Sequence, residues 1–418
     1  MPAPPVDPAA SREFAATVVT RLREAGHETY WAGGCVRDEL LGRNPADYDV
    51  ATAAPPETVR TVFGRRRTLA IGAAFGVITV LGPKGAGQVE VATFRTDAAY
   101  TDGRHPAEVT FCSAREDAQR RDFTINGLFL DPLTGEVHDF VGGRADLAAG
   151  VVRAIGVPAL RFGEDHLRML RAIRFTAFFG FVLDGETRAA IERMAHLVAA
   201  VSPERIAAEL RAMVERTGRE RAIMLLAETG LAREVLPELA PVRVSGHENW
   251  ASRAAVIGAL DEPVLPQALA VLSADLDAPA ATHIAGRLRL SNHESKTISW
   301  LHAALAELGQ GTDLASRPWS TMQPWVADPR AAQLADLLRA RASHGLGDAT
   351  AAAWLTAQVA RPRSEIDPLP LLSGDDLLAA GVPAGRSIGA ALAKARQLQL
   401  DGVIKTADEA LAAVRTSG

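Results

Sequence analysis

Two cysteines, Cys35 and Cys112, in 418 residues are too few for a disulfide scaffold or a cysteine-rich zinc site, and they suit a reducing compartment. Lysine is nearly as scarce. It stands only at positions 84, 296, 394 and 405, which leaves 41 of the 45 basic residues as arginine. Excess arginine, alanine and glycine with little lysine is what a GC-rich genome produces. The net charge of -5 gives no general reason to expect a polyanion partner, so any RNA site must be a local patch. Long apolar runs are also missing: the longest uncharged stretch, between Arg67 and Lys84, is broken by glycine and falls short of the roughly 20 residues of a membrane helix. The N-terminus lacks the basic-then-apolar order of a secretion signal, and the expected location is cytoplasmic, with no membrane partner. No fixed period recurs, which disfavours a solenoid.

What is present is an ordinary globular composition, 48% hydrophobic and 23% charged, in a chain long enough for two to four domains. From about residue 13 to 152, short β-rich runs at 71–81, 89–94 and 109–111 alternate with turn chemistry. After about Pro158 the strand signals vanish and helical periodicity continues almost to Gly418, interrupted at Pro237, Pro263, Pro318 and Pro324. The expected class is α+β, a sheet domain followed by an all-α remainder. Residues 361–370 read as a linker, and 374–415 as a separate helical unit with Asp375 and Asp376 in its first turn.

Three features carry chemistry. Gly33-Gly34-Cys35-Val36-Arg37-Asp38 places two glycines ahead of a short helical pattern, where backbone N–H groups can approach an anion. Asp47-Tyr48-Asp49-Val50 reads as a strand, so Asp47 and Asp49 share a face and can share divalent ions. Glu90 sits in the apolar run 89–94, as an edge position or as a third carboxylate beside that pair. Together the acids suit two Mg²⁺ for in-line phosphoryl-type transfer, one ion activating the attacking oxygen and one neutralising the leaving pyrophosphate.

Those motifs are followed by Arg120-Arg121-Asp122-Phe123-Thr124-Ile125-Asn126-Gly127, by Asp139-Phe140-Val141-Gly142-Gly143 and by Glu164-Asp165-His166-Leu167-Arg168. In this order and spacing, over roughly residues 15–215, they resemble the bacterial-type tRNA nucleotidyltransferase and poly(A) polymerase family, class II of the polymerase-β-like superfamily. Gly127 departs from the alanine usual there. The resemblance implies that Asp47 and Asp49 hold the catalytic metals, with Glu90 as a weaker third catalytic acid. It implies that Gly33, Gly34 and Arg37 meet the triphosphate and that Arg121, Asp122 and Asn126 serve sugar and phosphates.

At about 100° per residue, Glu164, Asp165, Arg168 and Arg171 fall on one helical face, with Leu167, Leu170, Ile173 and Ala177 on the other. A surface helix knitted by ion pairs would look the same. In the family this helix is a protein template: Asp165 accepts from, and Arg168 donates to, the Watson–Crick edge of cytosine or adenine, Glu164 steadies Arg168, and Arg171 continues the charged face. Arg174 is added as a nucleotide-binding residue, although the spacing turns it towards the apolar side. The polar segment 94–106 matches a family loop needed to switch from C to A addition. His138-Asp139 lacks companion histidines for a metal phosphohydrolase. Arg205, Arg211, Arg216, Arg219 and Arg221, then Arg287 and Arg289, are candidates for an RNA track or for solvated helix faces.

The resemblance thus implies a nucleotidyltransferase head (1–152), a helical neck with the nucleotide-selecting helix (153–215), a helical body (216–360) and a tRNA-binding tail (361–418). The implied activity is addition of CCA to tRNA from CTP and ATP with Mg²⁺, and no obligate protein partner is evident. A poly(A) polymerase or A-adding enzyme shares the head motifs. A non-catalytic RNA-binding protein would not need the acid pair.

Overall fold

The first helix, Pro8–Glu24, begins where the Asp7 carboxylate accepts the Ala9 N–H at 3.0 Å and proline takes the first helical position. Ala15, Val18, Val19 and Leu22 recur at three- and four-residue steps and are fully buried. The computed structural model describes residues 6–97, 109–239, 249–309 and 313–415. Much of the predicted 94–106 loop therefore lies outside the described residues.

The strands of the N-terminal half are β1 (Thr29–Ala32), β2 (Asp49–Thr52), β3 (Thr68–Leu69), β4 (Val77–Leu81), β5 (Gln88–Thr93), β6 (Arg95–Asp97), β7 (Val109–Phe111), β8 (Leu128–Leu130) and β9 (Val137–Asp139). Seven form one mixed sheet in the order β3-β4-β5-β2-β1-β8-β9, and β6 pairs with β7. Within the large sheet only β2 and β5 run parallel. Burial alternates along β4 and β5, as a sheet with one covered face requires. Trp31, Val50, Val91, Phe94 and Phe129 fill the core, each worth about 1.5–3 kcal/mol on burial.

The 71–81 run is a strand only from Val77. Gly76, at φ 78°, ends a short 3₁₀ turn over Ala73–Phe75, a left-handed backbone that delays strand pairing. Past Pro158 the strand signal does not vanish entirely, since β10 (Val151–Val152) pairs in parallel with β11 (Val182–Leu183).

The chain divides into two compact units, Met1–Pro237 and Glu238–Gly418. The helices Pro158–Glu164, Leu167–Phe179, Gly185–Met194, Pro203–Val214, Arg219–Glu228 and Leu231–Val235 complete the first. The described part of the second is helical, so the order of a mixed-sheet domain followed by helices matches the α+β expectation. Pro324 lies inside the helix Trp319–Val326 and does not interrupt it. The 361–370 segment contains a helical turn, Arg363–Ile366, started by Pro362. The helix Gly374–Ala379 has Asp375 and Asp376 in its first turn as expected and is capped by a reciprocal Ser373–Asp376 box, and Leu377 packs with Leu372, Ala395, Ile404 and Ala410. Among the described residues no helix is long and apolar enough to cross a membrane.

Candidate active site

Gly33 caps the short helix Gly34–Leu40 with φ 74°, a backbone that favours glycine, and a Cβ there would stand 2.9 Å from the Arg121 guanidinium and push it aside. One turn in, buried Arg37 donates to the Asn126 Oδ1 at 2.6 Å and to the Asp38 Oδ1 at 2.9 Å, 4.5 Å from the Phe179 ring. Burial lowers its pKa, and Asp38 and Asp122 oppose that shift.

Asp49 is the first residue of β2, but Asp47 lies in the bend before it and not on the strand as expected. The ladders to β1 and β5 begin only at Val50 and Asp49, so neither ladder reaches residues 46–48. Enclosure by protein raises the Asp49 carboxyl to about 6, with Asp47 and Glu90 adding repulsion and Arg121 opposing them. Glu90 is the register partner of Asp49. Among the described residues no group of three His, Cys, Asp or Glu side chains is placed to hold a metal. Asp47 and Asp49 nevertheless form a hard, anionic oxygen pair of the kind Mg²⁺ accepts while keeping water and phosphate as further ligands, so the donor chemistry fits.

The next motif is built around a buried acid. The helix Ala114–Gln119 starts on a Ser113–Glu116 capping box, and its Asp117 binds the neighbouring Arg120 at 2.7 Å and Arg121 at 2.9 Å. Asp122 accepts from the Asn126 amide at 3.0 Å and from Arg171 at 2.7 Å. Its burial resists charge, but Arg171 and the hydrogen bond from Asn126 outweigh that and hold the carboxyl at about 2. A continuous polar chain, Arg37 to Asn126 to Asp122 to Arg171, thus ties the sheet domain to the Leu167–Phe179 helix. Asp139 is structural: it accepts the N–H groups of Val141, Gly142, Gly143 and Arg144, and no metal role is left for His138-Asp139.

The nucleotide-selecting segment differs from one continuous helix. The helix Pro158–Glu164 ends at Glu164, Asp165 is extended with φ -148°, and the next helix starts at Leu167. The Asp165 Oδ1 caps the new start by accepting the Leu167 N–H at 3.0 Å, which explains the break: a carboxylate here competes for the backbone. Glu164 does hold Arg168, at 2.6 Å, and the Arg120 carbonyl accepts from the same guanidinium at 3.0 Å. Arg174, expected on the apolar side, points to Glu209 at 2.6 Å.

Of the thirteen residues singled out from sequence, every one but Glu90 lines a single open cleft of about 500 Å³, joined there by Arg120 and Phe175. Three supporting residues escaped the sequence reading of the site: Asp117, Glu209 and the role of Arg205, which reaches the Asp165 Oδ2 at 2.7 Å. Asp117 precedes its arginines by three and four residues, a visible helical signal. Glu209 and Arg205 act across 35 and 40 residues, where local spacing carries no signal. Of the other candidate track residues, Arg211 faces Glu215 at 3.8 Å, Arg221 donates to the Phe181 carbonyl and Arg287 pairs with Glu238.

Residues 29–153 match the family described as the poly A polymerase head domain, and residues 180–242 match a probable RNA and SrmB-binding site of polymerase A. The chain is 43% identical over 219 residues to a CCA-adding enzyme of Bacillus pumilus, covering 52% of this chain and 54% of that protein. It is 44% identical over 227 residues to one of Anoxybacillus flavithermus, covering 54% and 56%. The chain thus spans about half the length of the curated relatives it matches. The crystal structure of a Bacillus stearothermophilus CCA-adding enzyme in complex with CTP is similar with a TM-score of 0.77 at 28% identity, over 97% of each chain.

Proposed function

We propose that this chain, which belongs to the class II tRNA nucleotidyltransferase and poly(A) polymerase family, builds or repairs the 3′-terminal CCA of tRNA by template-independent nucleotidyl transfer from CTP and ATP. The family is polymerase-β-like and typically metal-dependent. What supports the reading most is convergence: the acid pair, the glycine pair, the arginines and the Asp165–Arg168 segment face one cleft although they come from positions 33 to 174.

In this reading Gly33 and Gly34 leave the backbone open to a triphosphate, and Arg37 and Arg121 meet its charge. Asp122 and Asn126 serve the sugar and fix Arg171. Asp47 and Asp49 would hold two Mg²⁺, which would supply Lewis-acid stabilisation of the charge developing at the α-phosphate. Asp165 accepts from the exocyclic amino group of cytosine or adenine, and Arg168 donates to the adjacent ring nitrogen. The arginines are already locked by Asp117, Glu164, Asp122 and Glu209, so little reorganisation remains when charge develops. Glu90 tunes the acid pair from the neighbouring strand, and the 361–418 tail grips the tRNA in the cytoplasm.

The test is incubation of the purified protein with tRNA lacking CCA and each of the four nucleotides, singly and together. Two C additions followed by one A are expected. Addition of A alone identifies an A-adding enzyme or a poly(A) polymerase. No addition, with RNA still bound, identifies a binding protein.

A further inference from the structure

We propose that Arg43 and Arg216 form an anion site outside the nucleotide cleft that holds backbone phosphates of the RNA being extended. This rests on the proposed function and adds where its RNA substrate is gripped. Arg43 follows the helix Gly34–Leu40 and Arg216 follows the helix Pro203–Val214, yet both guanidinium carbons lie 5.4 Å from the ring centroid of Phe178. Arg43 also lies 5.1 Å from the Phe179 ring. Both residues are exposed, and neither guanidinium has a carboxylate or hydrogen-bond partner among the described residues.

That sets them apart from the cleft arginines, whose charges are met by Asp38, Asp117, Glu164, Asp122 and Glu209. The acid next to Arg216, Glu215, faces Arg211. Two cations brought to one ring without a counter-charge repel each other, and an anion between or beside them relieves that repulsion. The aromatic faces hold the planar groups in place, so little side-chain freedom is lost on binding.

The position favours a polynucleotide backbone over the nucleoside triphosphate. Neither arginine lines the nucleotide cleft, and Arg43 opens instead onto a separate groove with Arg12, Asn44 and Tyr48, whose acids are engaged elsewhere: Glu39 by Arg12 and Tyr48, and Asp7 by the Ala9 N–H. Phe175, however, lines the cleft and stacks on Phe179, which touches Phe178 at 4.8 Å. The pair therefore sits a few ring contacts from where the RNA 3′ end must arrive.

The experiment measures binding of tRNA lacking CCA, without nucleotide, as a function of salt, for the wild type, Arg43→Gln/Arg216→Gln and Arg43→Lys/Arg216→Lys. Each phosphate contact contributes roughly 0.7–0.9 to the slope of log affinity against log salt. The glutamine pair should lower that slope by about 1.5 and weaken binding about tenfold at low salt, with the lysine pair near wild type. Affinity for CTP in the absence of RNA should stay within twofold. An unchanged slope in the glutamine pair overturns the proposal, as does a loss of CTP affinity with RNA binding intact. Should the double variant not fold, each single glutamine variant should lower the slope by about 0.8, and an unchanged slope in both overturns the proposal. Wild-type protein that fails to extend the tRNA sinks the CCA reading itself, which separates the two failures.

Discussion

Glu90 stands opposite Asp49 across the parallel β2–β5 ladder, so both side chains leave the same face of the sheet. Its charge helps push the Asp49 carboxyl up to about 6, after enclosure and Asp47, yet Glu90 does not line the cleft that the two aspartates share. Asp47→Asn and Asp49→Asn should each lower the rate of CMP incorporation by about 10³-fold or more, the scale of a lost metal ligand. Melting temperature and tRNA affinity should hold. Glu90→Gln should cost less than about tenfold, since it removes a tuning charge and no ligand. Single-turnover incorporation measures all three, and a rate within tenfold of wild type for either aspartate variant removes the metal-pair assignment.

A pH dependence of stability follows from Asp122. Its folded pKa of about 2 lies below the ordinary 3.8, since Arg171 and Asn126 outweigh the cost of burial. A depressed pKa adds stability above the unfolded value, and the gain disappears as pH falls through about 3.8 towards 2. Its size is about 2 kcal/mol. Denaturant unfolding between pH 5 and 2 should show wild type losing stability more steeply than Asp122→Asn. Parallel curves would mean that the Asp122–Arg171 pair does not set the pKa.

The second glycine of the 139–143 motif, Gly143, has a steric reason. A Cβ on Gly143 would lie 2.1 Å from the Thr124 carbonyl oxygen, a backbone atom that cannot swing away. Gly143→Ala should therefore cost about 1–3 kcal/mol or more and lower the melting temperature by several degrees. At Gly127 the nearest atoms are side-chain ends, the Val141 Cγ2 at 2.7 Å and the Ile155 Cδ1 at 3.1 Å. Gly127→Ala should be milder, and Val141→Ala in the same chain should recover part of the loss. Equal melting temperatures for Gly143→Ala and wild type would refute the close approach.

How far the sequence speaks depends on range. The alternating run 89–94 announces β5, and the glycine pair announces the Gly34–Leu40 helix, because both signals are local. Asp47 reads as strand from its spacing but lies before it, because spacing cannot tell which residues find a ladder partner. The break at Asp165 was hidden because a helical pattern continues through it, while the carboxylate is used to start a second helix. Buried Glu209 looks like an ordinary charge on a helix surface until folding brings Arg174, 35 residues away, to it.

Base choice provides the most demanding test. Asp165 and Arg168 are three residues apart, but their side chains are not each other's partners: Arg205 binds the Asp165 carboxylate, and Glu164 binds the Arg168 guanidinium. A mere surface ion pair between them would have predicted mutual contact and an effect of tenths of a kcal/mol. Held separately, one presents an acceptor and the other a donor to the cleft. Removing either leaves a base group unpaired, at about 1–3 kcal/mol or five- to 150-fold in discrimination. Asp165→Ala and Arg168→Ala should therefore lose preference for CTP and ATP over UTP and GTP. Arg205→Ala should lose part of it, because the carboxylate remains but is then held through one oxygen only, by the Leu167 N–H. Arg205→Lys should keep the preference if charge alone fixes Asp165. The measurement is kcat/KM for all four nucleotides on tRNA ending before CCA. Unchanged ratios in the Asp165 and Arg168 variants would sink protein-templated selection, and with it the main reason to prefer CCA addition over unselective nucleotidyl transfer.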